Sequence, residues 1–384
     1  MALGRRDLRS RRSRAAGNVI WIPIALACAA ACYQILALLA ALLHDRASPA
    51  AARPLGVSIL KPVHGGEPGF YEAIRSHALQ QYPEFEILFG AGRADDPARD
   101  AVDQLIREFP TVAIRWVVCP QEAPNAKVGI LMDLAKEARY PLFIVNDSDI
   151  SVPPAYLRDV TAPLQDPGIG LVTCLYRAEA RDWPSRFEAL GIATDFAPST
   201  LVAPLFGVSE FGLGSTLAFR RADLEAIGGF AAVADYLADD YQLGRKLHLL
   251  GRKNLVSNIV VSTRLSAGSW SAAWRHQLRW ARTIRCSRPG GYAGLPITFA
   301  TLWALIAALS GAWWTALALL AIRFAMAFTA GGLVLRSDDV FKYCYLIPLR
   351  DLGGVAIWIA GLFGNTVEWR GRRLRLDREG RIQP

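Results

Sequence analysis

Residues 142–150, Leu-Phe-Ile-Val-Asn-Asp-Ser-Asp-Ile, constrain this chain more than any other stretch. Four apolar, partly β-branched residues predict a strand buried on both faces, as in a parallel sheet covered by helices. The run stops at Asp147 and Asp149, and Pro153-Pro154 bar it from continuing as a central strand. The turn that follows frees both carboxylates to converge. Two acids at the mouth of a strand suit a hard divalent cation that itself grips a diphosphate. An acidic turn that caps the next helix is the plainer alternative, since Asp and Ser are common caps.

The preceding stretch alternates between strand and helix patterns. Residues 57–60, 86–90 and 114–119 read as strands, and residues 68–81, 97–109 and 126–138 as helices. This rhythm predicts βαβ units, a mostly parallel sheet, and ligand sites at the carboxyl ends of its strands. Residues 170–176 and 217–220 are later strand candidates.

At 52% hydrophobic residues and a mean hydropathy of +0.22, the chain is too apolar for an ordinary soluble enzyme. Residues 18–43 carry no charge and are long enough to cross a bilayer. Their length and the lack of a convincing cleavage site predict an uncleaved anchor, not a signal peptide. Residues 44–54 read as a linker. Residues 187–206 are apolar, but Glu188, Asp195, Pro198 and Pro204 argue against a full span. Residues 271–285 form a basic helix with tryptophans, suited to the headgroup layer. Residues 295–335 offer two hydrophobic passes hinged near Gly311. Residues 343–367 offer a third, broken by Arg350-Asp351, an ion pair that faces a protein interior or marks re-entry.

The net charge of +9 is concentrated at the two ends of the chain. Arg5, Arg6, Arg9, Arg11, Arg12 and Arg14 precede the first apolar run; Arg370, Arg372, Arg373, Arg375, Arg378 and Arg381 follow the last. That placement favours anionic lipid over nucleic acid. Six cysteines without a Cys-x-x-Cys pair suggest neither a metal nor a disulfide framework and fit a reducing compartment.

Three acidic sites recur at comparable places: Asp95-Asp96, Asp147 with Asp149, and Asp239-Asp240. Acids near helix N-termini also stabilise the dipole without chemical duty. Taken with Leu60-Lys61-Pro62, Tyr236-Leu237-Ala238-Asp239-Asp240-Tyr241, Arg279-Trp280 and the tail Val367-Glu368-Trp369, however, the sequence resembles the ceramide glucosyltransferase family. The resemblance covers nearly the whole chain from about Val57 and extends to the bacterial hopanoid-associated branch, particularly at His276-Gln277-Leu278-Arg279-Trp280. It implies an α/β GT-A fold (Rossmann-like, mostly parallel sheet) with transmembrane helices at both ends, and inverting transfer from a nucleotide sugar. The expected organisation is a basic tail over 1–17, an anchor over 18–43 and the GT-A domain over 55–265. An interfacial helix over 270–287, transmembrane or re-entrant segments over 294–367 and a basic tail over 368–384 complete it.

By the same resemblance, Asp96 helps hold the nucleotide, Asp147 and Asp149 bind ribose and a Mg2+ or Mn2+, and Asp240 is the general base. Arg279 and Trp280 close a motif near the diphosphate; His276 replaces its usual Gln or Arg. A neutral imidazole still hydrogen-bonds there, but a satisfied interfacial histidine is the simpler reading. Lys61, Lys127 and Asn125 are candidates for nucleotide or diphosphate contact, against the plainer reading of solvated polar residues. Gly214, in Gly212-Leu213-Gly214-Ser215-Thr216, lets backbone approach a sugar.

The expected reaction moves a sugar from a UDP-sugar to a membrane lipid hydroxyl, first choice N-acetylglucosamine from UDP-GlcNAc to a hopanoid polyol, with ceramide and UDP-glucose as the alternative. A processive polysaccharide synthase shares the acids, but roughly three C-terminal passes are few for a polymer channel. A transporter or scaffold with an inactive transferase-like domain is the third reading; retention of all three acidic sites weighs against it. N-terminal arginines predict a cytoplasmic N-terminus and an external domain. Nucleotide-sugar supply and reduced cysteines instead favour a multi-pass protein of the inner membrane whose catalytic domain faces the cytoplasm.

Overall fold

The apolar run at 142–145 forms the strand β4 (Leu142–Val145) of a seven-stranded sheet. The others are β1 (Val57–Pro62), β2 (Phe85–Ala91), β3 (Ala113–Val118), β5 (Ile169–Ala180), β6 (Leu217–Arg220) and β7 (Lys253–Leu265), in the order β3-β2-β1-β4-β6-β5-β7. This computed structural model describes residues 3–44, 53–66, 69–369 and 371–383, with side chains described from residue 21 onward. Most of the expected linker at 44–54 and the helix start at Pro68 lie outside the described residues, as do the side chains of the N-terminal arginines.

Side-chain alternation divides the strands between two cores. Val57, Ile59, Ile87, Phe89, Leu142 and Ile144 join one buried cluster, whereas Leu60, Leu88, Phe143 and Val145 join the other. Helices cover both faces, which is why these strands read as continuous apolar runs. β1 pairs in parallel with β2 and β4, and β2 with β3. β6 runs antiparallel to β4, with Val145 opposite Leu217. The residues just before β6 therefore lie at the carboxyl end of β4, next to Asp147. β7 pairs in parallel with β5 through an irregular register and brings its far end to the same edge.

Between β5 and β6 the chain leaves the sheet as the helix Trp183–Phe206. By length and hydropathy this helix qualifies as a membrane span, contrary to the expectation from its acids and prolines. The acids are paired: Glu188 with His276 and Asp195 with Arg323. Pro198 cannot donate to the Thr194 carbonyl four residues back; that oxygen accepts instead from Arg323 Nη1 at 2.6 Å. The helix packs against Ala37, Ala40 and Ala41 of the helix Leu3–Leu43 and against Met326, Ala330 and Val334.

Trp21–Leu43, Trp313–Val334 and Cys344–Gly361 also qualify as spans, and Pro289–Thr298 with Ala300–Leu309 forms a pair bent by 49°. The expected hinge is present: Gly311 has φ 87°, in the left-handed region that glycine tolerates. Exposed Trp313, Trp314, Leu309 and Leu317 leave an apolar exterior suited to lipid.

Arg350 and Asp351 do not pair with one another. Adjacent helical residues point apart, and Asp351 instead receives Arg323 Nη2 at 2.5 Å and Nε at 3.1 Å, with Thr301 donating at 2.5 Å. Both side chains are nonetheless buried in the protein interior. The arginine-rich C-terminal stretch is not a free tail: β8 (Thr366–Trp369), β9 (Arg372–Leu376) and β10 (Ile382–Gln383) form an antiparallel sheet. Val367, Leu374, Leu376 and Ile382 bury against Leu237 and Cys286.

Replacing Arg323 by Leu strands two carboxylates in an apolar bundle and is expected to cost about 3–5 kcal/mol. The detergent-solubilised double variant R323L/D351L should unfold at a higher temperature than R323L. The reverse order would show that the arginine is not the counter-ion holding this bundle.

Candidate active site

The end of β4 is pinned before the acids emerge. Asn146 is fully buried and donates to the Ser215 carbonyl at 2.7 Å and the Tyr156 hydroxyl at 2.9 Å. Asp147 then turns out at the sheet edge, its backbone N–H held by the Gly214 carbonyl at 3.0 Å. The Gly214 N–H in turn donates to Asp240 Oδ2 at 2.8 Å. A Cβ on Gly214 would stand 2.7 Å from Asp147 Oδ2 and 3.4 Å from Asp240 Oδ2, so glycine alone fits comfortably between the two carboxylates. The Gly212–Thr216 stretch thus touches the acids themselves.

Lys61 and Lys127 are buried, not solvated. Lys127 Nζ lies 2.9 Å from Asp147 Oδ1 and 3.1 Å from Asp239 Oδ2. Burial lowers its pKa, but Asp147, Asp239 and Asp240 outweigh that and raise it, so it stays charged. Lys61 Nζ donates to the Asp147 carbonyl at 2.9 Å from below; burial lowers its pKa to about 7, against the pull of Asp149 and Asp147. Asn125 is fully buried as well. Its side chain caps the helix Ala126–Glu137 and donates to the Tyr236 carbonyl at 2.8 Å.

Asp240 opens the helix Asp239–His248, and its Oδ1 accepts from the Tyr241 N–H at 2.7 Å. Burial and the Asp239 charge raise its pKa to about 6, with Lys127 opposing. Asp149 accepts a hydrogen bond from Thr263 of β7. Burial and the Asp147 charge raise its pKa as well. Arg279, on the helix Trp270–Ser287, lies in the field of Asp147, Glu188, Asp240 and Tyr176; burial lowers its pKa despite them. A cleft of about 250 Å³ lined by His276, Arg279 and Trp369 opens beside it.

His276 Nδ1 lies 2.6 Å from Glu188 Oε1, and its ring is 4.8 Å from that of Trp280. It is a partnered histidine at the rim of the site. Trp280 packs on Ala178, Ala189 and Ile192, fixing the helix that carries Arg279. Asp96 stands apart from this cluster: its carboxylate accepts from the N–H groups of Gly65 and Ala98, both at 2.9 Å, at the end of β2. Asp95 forms an exposed pair with Arg93 at 2.6 Å.

Tyr176, Glu188 and Thr263 also belong to the site and escaped sequence reasoning. Tyr176 lies in the field of Glu188, Asp147, Asp149 and Asp240, and burial raises its pKa. Only Thr263 had a usable signal, the β-branched residues Val260, Val261 and Thr263 close together.

A mostly parallel α/β sheet with acids at its carboxyl edge, joined to a bundle of apolar helices, places a candidate ligand site beside membrane-length helices. The family model for glycosyl transferase family 21 matches residues 19–382, and the chain belongs to that family. Ceramide glucosyltransferase 3 of Caenorhabditis elegans is 26% identical over 356 residues, 89% of this chain and 77% of that protein. Ceramide glucosyltransferase 1 of the same organism is 29% identical over 219 residues; the match covers 56% of this chain and 46% of that protein. Among solved structures, the mannosyltransferase PcManGT from Pyrobaculum calidifontis in complex with GDP-Man and Mn2+ aligns with a TM-score of 0.56 at 20% identity, covering 89% of this chain and 97% of that one. The two share a fold.

Lys127→Met removes the counter-ion common to Asp147 and Asp239 and should destabilise the protein by about 3–5 kcal/mol. Thermal unfolding of the solubilised variant checks this; an unchanged midpoint would show that the carboxylates are compensated elsewhere.

Proposed function

We propose that the chain transfers a sugar from a UDP-sugar to a lipid hydroxyl with inversion at the anomeric carbon. The observation that carries this reading is the convergence of Asp147, Asp240 and Arg279 within one electrostatic neighbourhood, beside the membrane bundle. Asp240 takes the proton of the acceptor hydroxyl while its oxygen attacks the anomeric carbon. The bond to the diphosphate breaks, and UDP departs with the electron pair. A pKa of about 6 suits a base at neutral pH. Arg279 neutralises the charge that develops on the diphosphate. One base and one direct displacement give inversion.

Asp147 and Asp149 are the residues that would hold a Mg2+ or Mn2+, a hard cation suited to carboxylate oxygens. No group of three His, Cys, Asp or Glu side chains suited to a metal occurs among the described residues, so the two carboxylates would need further ligands from the substrate. Such an ion would supply Lewis-acid neutralisation of diphosphate charge at these two carboxylates. Asp96, with the Gly65 loop it holds, flanks the nucleotide. Lys61 and Lys127 brace Asp147 from beneath, Gly214 admits the sugar, and His276 and Trp280 set the position of Arg279.

The preferred pair is UDP-GlcNAc and a hopanoid polyol, supported by the sequence around His276. Ceramide with UDP-glucose is the second reading, favoured by the names of the curated relatives. Six free cysteines fit the placement of the catalytic unit at the cytoplasmic face of an inner membrane.

Asp240→Asn should lower kcat by about 10²–10⁴-fold. In the native enzyme the rate should fall as pH drops through about 6, because protonation removes the base. Undiminished transfer by the variant would refute the assignment. Mass spectrometry of lipids from cells with and without the gene tests the acceptor. Loss of an amino-sugar hopanoid supports the first pair, and loss of a hexosyl ceramide supports the second.

A further inference from the structure

The helix Trp183–Phe206 places Glu188, Gly191 and Asp195 along one stripe, at i, i+3 and i+7. Glu188 holds His276 beside Arg279. One turn on, Gly191 lies against the guanidinium of Arg350, so closely that a Cβ there would stand 2.1 Å from Arg350 Nη2. Another turn on, Asp195 pairs with Arg323 at 2.7 Å.

Arg350 is unusual among these groups. It is 9% exposed, yet its Nε and Nη1 have no hydrogen-bond partner. Nη2 is 3.9 Å from Asp195 Oδ2, too far for a hydrogen bond. The face of Phe187 covers the guanidinium at 5.6 Å but offers no acceptor oxygen. The neighbouring Asp195 side chain, by contrast, remains 37% exposed despite its pairing. Unused donors and a reachable carboxylate thus stand side by side in an apolar bundle, where unsatisfied polar groups are costly.

The local backbone links this point to the chemistry. The helix widens to a π-helix over Ile192–Phe196, an irregularity common at functional sites. Phe196, next to Asp195, packs 5.4 Å from Tyr176 and 6.5 Å from Trp280 in the catalytic cluster. The charges nearby also balance: Arg323 and Arg350 face Asp195 and Asp351. A balanced site suits an uncharged polar group better than a phosphate.

We propose that Arg350 and Asp195 bind the polar head of the lipid acceptor. Arg350 donates Nε–H and Nη1–H to head oxygens, and Asp195 accepts from a head hydroxyl. The occupant is a neutral head that carries oxygens beyond the hydroxyl that attacks; a polyol and a hydroxy-amide both qualify. This rests on the lipid-acceptor reading above and adds to it the place and the recognition chemistry.

The test uses the full chain in lipid nanodiscs with UDP-sugar and two acceptor pairs. One is a hopanoid polyol and its counterpart bearing a single terminal hydroxyl; the other is ceramide and a counterpart whose amide is replaced by an ether. The native enzyme is expected to show a KM about tenfold or more lower for the full head of the pair it uses, as charge-assisted hydrogen bonds provide. In Arg350→Gln that discrimination should collapse, with the change in KM for lipid and not for UDP-sugar. Gly191→Ala keeps every charge but displaces the guanidinium; it should give the same result and decides the matter if Arg350→Gln does not fold. Discrimination retained in the folded variants overturns this inference alone and leaves Arg350 a structural residue. Transfer to neither lipid pair by the native enzyme overturns the lipid-acceptor reading, and this inference with it.

Discussion

Carboxylates from distant parts of the chain gather at one sheet edge because the ammonium of Lys127 stands between them. Asp147 follows β4, whereas Asp239 and Asp240 open a helix nearly a hundred residues later. Each would repel the others in a half-dry cleft, and their mutual repulsion is what burial makes expensive. Lys127 touches Asp147 and Asp239 at once. Asn125, two residues earlier, holds the Tyr236 carbonyl just before those acids. One helix N-terminus therefore supplies both the charge and the tether. The C-terminal sheet closes the same loop from outside, where Leu237 N–H meets the Gly380 carbonyl and Ile382 N–H meets the Asp235 carbonyl.

Compensation at this edge is incomplete, and that is chemically useful. Burial and the Asp239 charge raise the pKa of Asp240 to about 6, and Lys127, which touches Asp147 and Asp239, offsets them only in part. On the other flank, Asp149 has Thr263 for a partner and Asp147 for a neighbour. A site that holds excess carboxylate charge suits an incoming cation. Lys61 and Lys127 are already committed to Asp147, so in the proposed reaction it is Arg279 that faces the diphosphate.

Much of this was legible in the residues, and what was not has physical causes. The apolar run that ends in Asp147 and Asp149 marked the central strand because helices cover both faces of the sheet. Gly214 drew notice as a glycine just before a strand, but its place between two carboxylates was hidden, because the sequence does not show that this strand returns antiparallel beside β4. Burial of Lys61 and Lys127 was hidden, since lysine reads as solvated until its partners are known, and Asp239 lies 112 positions from Lys127. β7 was hidden because Asn254, Ser257 and Asn258 interrupt its apolar pattern. In the C-terminal sheet, exposed arginines masked the buried alternation of Val367, Leu374 and Leu376. Arg350 and Asp351 looked like a pair only in one dimension; the helix turns them toward different partners.

The insertion of a membrane-length helix between β5 and β6 resolves a geometric problem that a free sheet edge cannot. In the proposed reaction a water-soluble donor and a membrane-held nucleophile meet within bonding distance. Here the strand that carries Tyr176 continues directly into the helix that carries Glu188 and Asp195. Glu188 reaches back to His276 on the helix that presents Arg279, while Asp195 reaches down to Arg323. Catalytic edge and bundle are thus joined by one continuous piece of backbone and by charge pairs at both of its levels. A shift of that helix within the bundle would be felt at Arg279, which ties the position of the bundle to the geometry of the transferring group.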